Sequence, residues 1–203
     1  MNSIKKKLTL LRRKILFFYL WPLAFNLFKK KPINEKLVLF AFSKNYTEMP
    51  DNMVGIYFFL KERGFDCRIM QSPQNAVKRI LFDFTFQKYY AQCKCVFITD
   101  NFDPVYAHQP RKGTKVIQLW HACGAFKKWG YSTLDLPWGG KREDMLRFPM
   151  HNTYTDVFVS SEAVIPCYAE AFRCAERRVK AFGTPRTDVY FDKEFVSAQR
   201  EEL

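Results

Sequence analysis

Glycine is scarce in this chain of 203 residues: there are 8, and none forms a G-x-G-x-x-G run or a P-loop. Phosphate cradling through either loop is excluded as a direct reading. Acidic residues are scarce at the N-terminus, where Glu35 is the one acid against ten bases through residue 36. The uncharged apolar stretch 15–28 has 14 residues. At about 1.5 Å per residue, a helix of that length falls short of the roughly 30 Å hydrocarbon core. A single-pass span is therefore not expected. No small-x-small cleavage site precedes Lys29, so a secretory signal is not expected either. The six cysteines form no C-x2-C pair of the kind that structural zinc prefers.

Aromatic residues, by contrast, are abundant. With 48% hydrophobic and 17% aromatic residues, 21 of them Phe, the chain can bury a sizeable core and is no disordered polyelectrolyte. Its length suits one ordinary domain with a tail. The formal charge is 33 − 20 = +13, of which residues 1–36 carry 10 − 1 = +9, leaving +4 for the other 167. A basic tail, rather than a basic folded face, is implied, and nucleic acid is not the expected partner. Residues 15–28 contain Phe17, Phe18, Tyr19, Trp21, Phe25 and Phe28 between basic clusters. That pattern predicts a helix lying in the headgroup layer of an anionic membrane surface, peripheral and on the cytoplasmic side. A buried N-terminal helix with a solvated basic flank is the alternative.

Cys67, Cys93, Cys95, Cys123, Cys167 and Cys174 read as reduced core thiols. Cys93-x-Cys95 and His121-x-Cys123 could be drawn as a zinc set, but the spacing argues against it. Neither metal nor cofactor is expected.

The body alternates short apolar runs with helical periodicity. Strands are expected over 37–42, 67–70, 95–99, 115–120, 156–160 and 179–182. Helices are expected from Asp51 or Asn52 to Gly64, from Ser72 and Pro73 through Phe84, and over 162–173 with Ser161 as N-cap. Such strands, apolar throughout and separated by helices, indicate an α/β, doubly wound, Rossmann-like parallel sheet covered on both faces. Ligands of such sheets lie beyond the carboxyl ends of the strands, here at 43–51, 100–108, 120–128, 160–162 and 183–188. The third segment carries the most chemistry. His121 follows directly on a strand and can take a proton from a hydroxyl, Gly124 lets backbone approach a ligand, and Lys127 and Lys128 can hold phosphate. A satisfied structural histidine is an equal alternative on local chemistry. His108 and His151 read as ordinary loop residues. The stripe Phe82, Phe84, Phe86, Tyr89 and Tyr90 reads as core or interdomain surface.

The run Gln118-Leu119-Trp120-His121-Ala122-Cys123-Gly124-Ala125-Phe126-Lys127-Lys128-Trp129-Gly130 resembles the strand–His–loop motif of the CDP-glycerol glycerophosphotransferases of teichoic acid synthesis. Tyr46 to Asn52, Asp156 to Glu162, and Gly183-Thr184-Pro185-Arg186-Thr187-Asp188 are similar to that family in the same order. The resemblance covers roughly residues 37–192. It implies the first half of a GT-B architecture: residues 1–36 for membrane association, 37–192 as a Rossmann-like acceptor-side domain, and 193–203 as the start of an interdomain helix. On this reading the donor-binding domain is absent from the 203 residues. The implied reaction is attack by a hydroxyl of an undecaprenyl-diphosphate-linked acceptor on CDP-glycerol, with CMP leaving and His121 as base. Lys127, Lys128 and Arg186 are the implied phosphate contacts, with Gly124, Ser161 and Asp188 as further substrate-binding residues. Bland alternatives remain beside these: a strand-ending turn at Gly183 to Arg186, and a helix N-terminus at Ser160 to Glu162. Two other functions stand against the enzyme, a non-catalytic membrane-bound acceptor module and a basic nucleic-acid-binding protein.

Overall fold

In the computed structural model, which describes residues 3–201, all six expected strands lie side by side and parallel. They are β1 (Asn34–Phe42), β2 (Asp66–Gln71), β3 (Cys93–Ile98), β4 (Lys115–Gln118), β5 (Asp156–Phe158) and β6 (Val179–Lys180), in the order β2-β1-β3-β4-β5-β6. Successive side chains of a strand point to opposite faces, and β1 shows why its run is apolar without interruption. Leu37, Leu39 and Ala41 enter one core cluster, while Val38, Phe40 and Phe42 enter the other. The first cluster holds Phe86 and Tyr90 of α4 (Ala76–Tyr90) and Tyr168 and Phe172 of α6 (Ile165–Phe172). The second holds Met53 of α3 (Asp51–Glu62), with Tyr57 and Leu60 packed against it. Helices thus cover both faces, the doubly wound arrangement that continuous apolar strands require.

The N-terminal segment is more closely bound to this core than a tail would be. α1 (Ser3–Ile15), a π-helical turn (Leu16–Leu20) and α2 (Trp21–Phe28) run on with helical backbone at both junctions. Pro22 lacks the N–H for an ordinary helical bond and crowds the carbonyl one turn back; the wider π turn just before it accommodates both defects. Phe17, Trp21, Ala24 and Phe25 form a buried stripe that joins the α4 side of the sheet. Leu8, Leu11, Tyr19, Leu23 and Leu27 remain exposed. One face therefore satisfies the buried-helix alternative, and the boundary at residue 36 falls inside β1. No helix among the described residues is long and apolar enough to cross a membrane.

Several local expectations are corrected. α4 starts at Ala76, because Asn75 caps it by accepting from the Val77 and Lys78 amides. Ser161 makes no side-chain cap; a 3-10 turn (Glu162–Val164) intervenes before α6. β4 stops at Gln118 rather than Trp120, since Trp120 adopts a left-handed φ of 53°. The final helix, α7 (Lys193–Glu201), covers the expected helical end as far as it is described; Leu203 lies outside the described residues.

His108 and His151 are not ordinary loop residues. His108 bonds Gln87 Oε1 through Nε2 at 2.7 Å and lies over Phe25, ring centres 3.8 Å apart. Burial pushes its pKa down to about 4. His151 is buried at a φ of 60°, bonds the Tyr154 hydroxyl at 2.8 Å, and is pushed down to about 3 by burial. The cysteines are free, but Cys123 and Cys167 are exposed rather than core. In the aromatic stripe, Phe86 and Tyr90 are core while Phe84 remains exposed against Phe28.

Candidate active site

The strand order reverses at β1, with β2 on one side and β3 to β6 on the other. The connections after β1 and β3 diverge there and open a crevice at the carboxyl ends of the strands. A cleft of about 370 Å³ occupies that place. Its walls are the segment from Asn45 into the first turn of α3 at Asn52, Thr99 after β3, His121 after β4 and Arg186 after β6. Four strand ends thus contribute to one polar opening, and His121 is exposed in it.

The His121 backbone is held by its neighbours. Its carbonyl accepts a hydrogen bond from Arg186 Nη1 at 2.5 Å, and Arg186 Nη2 lies 3.2 Å from an Asp51 carboxylate oxygen. Its imidazole stacks on the Trp120 indole, ring centres 4.4 Å apart. Trp120 donates its N–H to Gln118 Oε1 at 2.8 Å, and its carbonyl accepts from Asn52 Nδ2 and from Thr99 Oγ1. Beside this cluster, burial raises the Asp100 carboxyl from its ordinary value, opposed by a hydrogen bond from Ser43 and by the nearby His121. Burial and the Asp100 charge likewise raise the Tyr46 phenol.

A second cleft, of about 300 Å³, shares His121 and is lined further by Trp120, Ala122, Gly124, Phe126, Lys127 and Trp129. Trp120 and Trp129 stack with centres 5.9 Å apart, and Phe126 stands 97% exposed at this site. A methyl built on Gly124 would come within 3.0 Å of the Phe126 ring, so glycine leaves that approach open. His121 therefore connects a polar opening with an aromatic one. A histidine so placed can take a proton from a hydroxyl held in the polar cleft.

Of the residues singled out in the sequence, His121 and Arg186 meet in the polar cleft, and Gly124 and Lys127 line the aromatic one. Lys128, Ser161 and Asp188 line neither and are exposed. The sequence marks Asn52 only as a helix start and as the end of the Tyr46–Asn52 stretch similar to the family, and Thr99 only as the end of a strand. Each lies one position outside a segment marked by the strand-end rule, so the rule found the region and missed the residue. Among the described residues, no group of three or more His, Cys, Asp or Glu side chains could hold a metal ion.

Comparison with known proteins agrees with this architecture. The profile of the CDP-glycerol:poly(glycerophosphate) glycerophosphotransferases matches residues 23–203. A teichoic acid ribitol-phosphate primase of Bacillus spizizenii is 32% identical over 176 residues, 84% of this chain and 45% of that protein. A teichoic acid poly(ribitol-phosphate) polymerase of the same organism is 33% identical over 187 residues, 91% of this chain and 29% of that one. The chain thus spans less than half the length of these curated relatives. The solved structure of the wall teichoic acid polymerase TagF shares the fold, with a TM-score of 0.64 at 17% identity over 100% of this chain and 53% of that one. The fold, the extent of the profile match and these relatives together establish that the chain belongs to the CDP-glycerol:poly(glycerophosphate) glycerophosphotransferase family.

Proposed function

We propose that this chain is the acceptor-side half of a polyol-phosphate transferase in which His121 is the general base. An acceptor hydroxyl in the polar cleft gives its proton to the imidazole as its oxygen attacks the phosphorus of a CDP-linked polyol phosphate. A new P–O bond forms, the pyrophosphate P–O bond breaks, and CMP leaves with the negative charge. The observation that carries this reading is the exposure of His121 in a cleft at the point where strand order reverses. A positioned base contributes about 10²–10⁴-fold to such a step. Lys127, at the aromatic cleft, supplies positive charge for phosphate; Lys128, Ser161 and Asp188 line neither cleft. The GT-B pairing with a donor-binding domain would complete the site.

The family description favours CDP-glycerol as donor. The ribitol-phosphate relatives favour a second reading, in which the transferred group is ribitol phosphate. For the acceptor we propose a polyol-phosphate chain on undecaprenyl diphosphate, met at the cytoplasmic membrane surface. The exposed residues Leu8, Leu11, Leu23 and Leu27, with Lys5, Lys7, Arg12 and Lys14, would lie on anionic lipid. Arg13 of α1 pairs with Asp103 in the loop after β3, which brings α1 to the end of the sheet that carries the cleft. CMP release from CDP-glycerol and from CDP-ribitol, by the complete gene product with membrane acceptor, tests both donors. Turnover with neither would overturn the proposal.

A further inference from the structure

The residue that precedes His121 is held in a conformation its own side chain resists. Trp120 has a φ of 53°, a region that L-residues with bulky side chains avoid because Cβ crowds the backbone. Backbone strain of this kind persists where surrounding contacts over-determine it, and it gathers at functional sites. Here both polar groups of the Trp120 backbone are engaged by side chains. The N–H donates to Gln118 Oε1 at 2.8 Å, and Gln118 is itself oriented by donating from Nε2 to the Tyr154 hydroxyl at 2.8 Å. The carbonyl accepts from Thr99 Oγ1 at 3.2 Å and from Asn52 Nδ2.

Asn52 is the odd member of this set. It is 3% exposed in the first turn of α3, and its Nδ2 also donates to Thr99 Oγ1 at 2.6 Å. A main-chain carbonyl can only accept, so the amide nitrogen must face Trp120 and the orientation of the side chain is settled. That leaves Asn52 Oδ1 buried without a hydrogen-bond partner, which opposes folding. An apolar side chain would avoid that loss, so stability alone does not account for an asparagine here. Its use is local: the clamped carbonyl belongs to the peptide joining Trp120 to His121, and the plane of that peptide sets where the His121 side chain departs.

We infer that Asn52, together with Thr99, is a positioning residue that holds the strained Trp120–His121 peptide and so aims the His121 imidazole into the polar cleft. The inference rests on the reading of His121 as the base. Release of the clamp lets Trp120 relax toward an ordinary φ and swings the imidazole away from the acceptor hydroxyl. A misplacement of about 1 Å in such a group costs on the order of 10²-fold in rate.

The chain has three histidines, so ring carbon–proton spectra of the labelled protein give three sets of signals; the His121 set is assigned with His121→Gln. In Thr99→Val and Asn52→Asp, the His121 ring signals are expected to move while those of His108 and His151 stay; Thr99→Ser, which keeps the hydroxyl, should match the parent. In the complete enzyme, the first two variants should lose on the order of 10²-fold in kcat with the KM for donor unchanged, and Thr99→Ser should not. Should Asn52→Asp fail to fold, Thr99→Val carries the test alone. Unmoved His121 signals, movement of all three sets together, or a change in KM alone would overturn the inference. A parent enzyme without CMP release would sink the proposed reaction, while the ring signals would still decide the clamp.

Discussion

Arg186 donates to the main-chain carbonyl of His121 at 2.5 Å, joining residues 65 positions apart in the chain. Its second nitrogen reaches Asp51 at 3.2 Å. One guanidinium thus ties the segment after β6, the segment after β4 and the first turn of α3 at the mouth of the polar cleft. The tie depends on a planar fork that lysine cannot reproduce. Arg186→Lys is expected to lower kcat/KM for CMP release roughly tenfold, the loss of one charge-assisted contact. The Arg186–Asp51 pair is largely exposed and adds about 0–1 kcal/mol at most, so the melting temperature should scarcely move. An unchanged kcat/KM would show that the fork has no bearing on turnover.

His121→Gln removes the proposed base and keeps a polar side chain of similar reach. Turnover should fall by about 10²–10⁴-fold. The imidazole is exposed, so stability should change by no more than about 0.5 kcal/mol. CMP release and a thermal melt, measured on the same preparation, separate the two effects. Near-parental polymer synthesis would remove the base assignment.

Acid should destabilise the fold through His108 and His151, whose folded pKa values are pushed down to about 4 and about 3. Both lie below the unfolded value near 6.5. The unfolded chain therefore binds more protons across this interval, and stability is full above about pH 6.5 and falls as the pH drops toward 4. Each histidine contributes a slope of roughly 1.4 kcal/mol per pH unit inside the window. Asp83 and Asp100, raised by burial, bind protons more readily when folded and oppose the loss at its acid end. Chemical denaturation between pH 7 and pH 4 measures the slope, and His151→Phe should flatten it. A slope unchanged by that substitution would contradict the assignment.

The two faces of the N-terminal helix should separate in experiment. Trp21 is 4% exposed and packs near Phe17 in the core, so Trp21→Ala should cost about 3–5 kcal/mol. Leu23 and Leu27 are more than half exposed, and their joint replacement by Gln should leave the melt unchanged. The same double variant should bind anionic vesicles more weakly, and added salt should weaken the parent as it screens the lysines. Equal vesicle binding by parent and variant would remove the membrane role of this face.

Much of the fold was legible because it is written in short-range patterns. The six strands appear where continuous apolar runs ended at turn residues, and a parallel sheet buried on both faces accounts for runs such as Leu37 to Phe42. The π turn ahead of Pro22 and the left-handed backbone of Trp120 left no such pattern. The stripe Phe17, Trp21, Ala24 and Phe25 falls in a segment whose pattern predicts a lipid-facing helix, yet it is core-facing, because periodicity marks an apolar face without naming what covers it. The site was legible in part for the same reason. His121 stands at a strand end that the sheet rule marks, whereas Ser161 and Asp188 share that rule's segments and line neither cleft.

By itself the amino-acid sequence determined the α/β class, the strand set and a histidine at the end of β4, since each depends on side chains close together along the chain. Only the tertiary structure decided that the π turn and α2 share the core, that Asn52 and Thr99 clamp Trp120, and that Arg186 joins His121 to Asp51. Those partners are 21 to 135 positions apart. Side-chain donors are matched with acceptors over such distances only when the sheet order brings their strand ends together, and that order follows from packing both faces of the sheet at once.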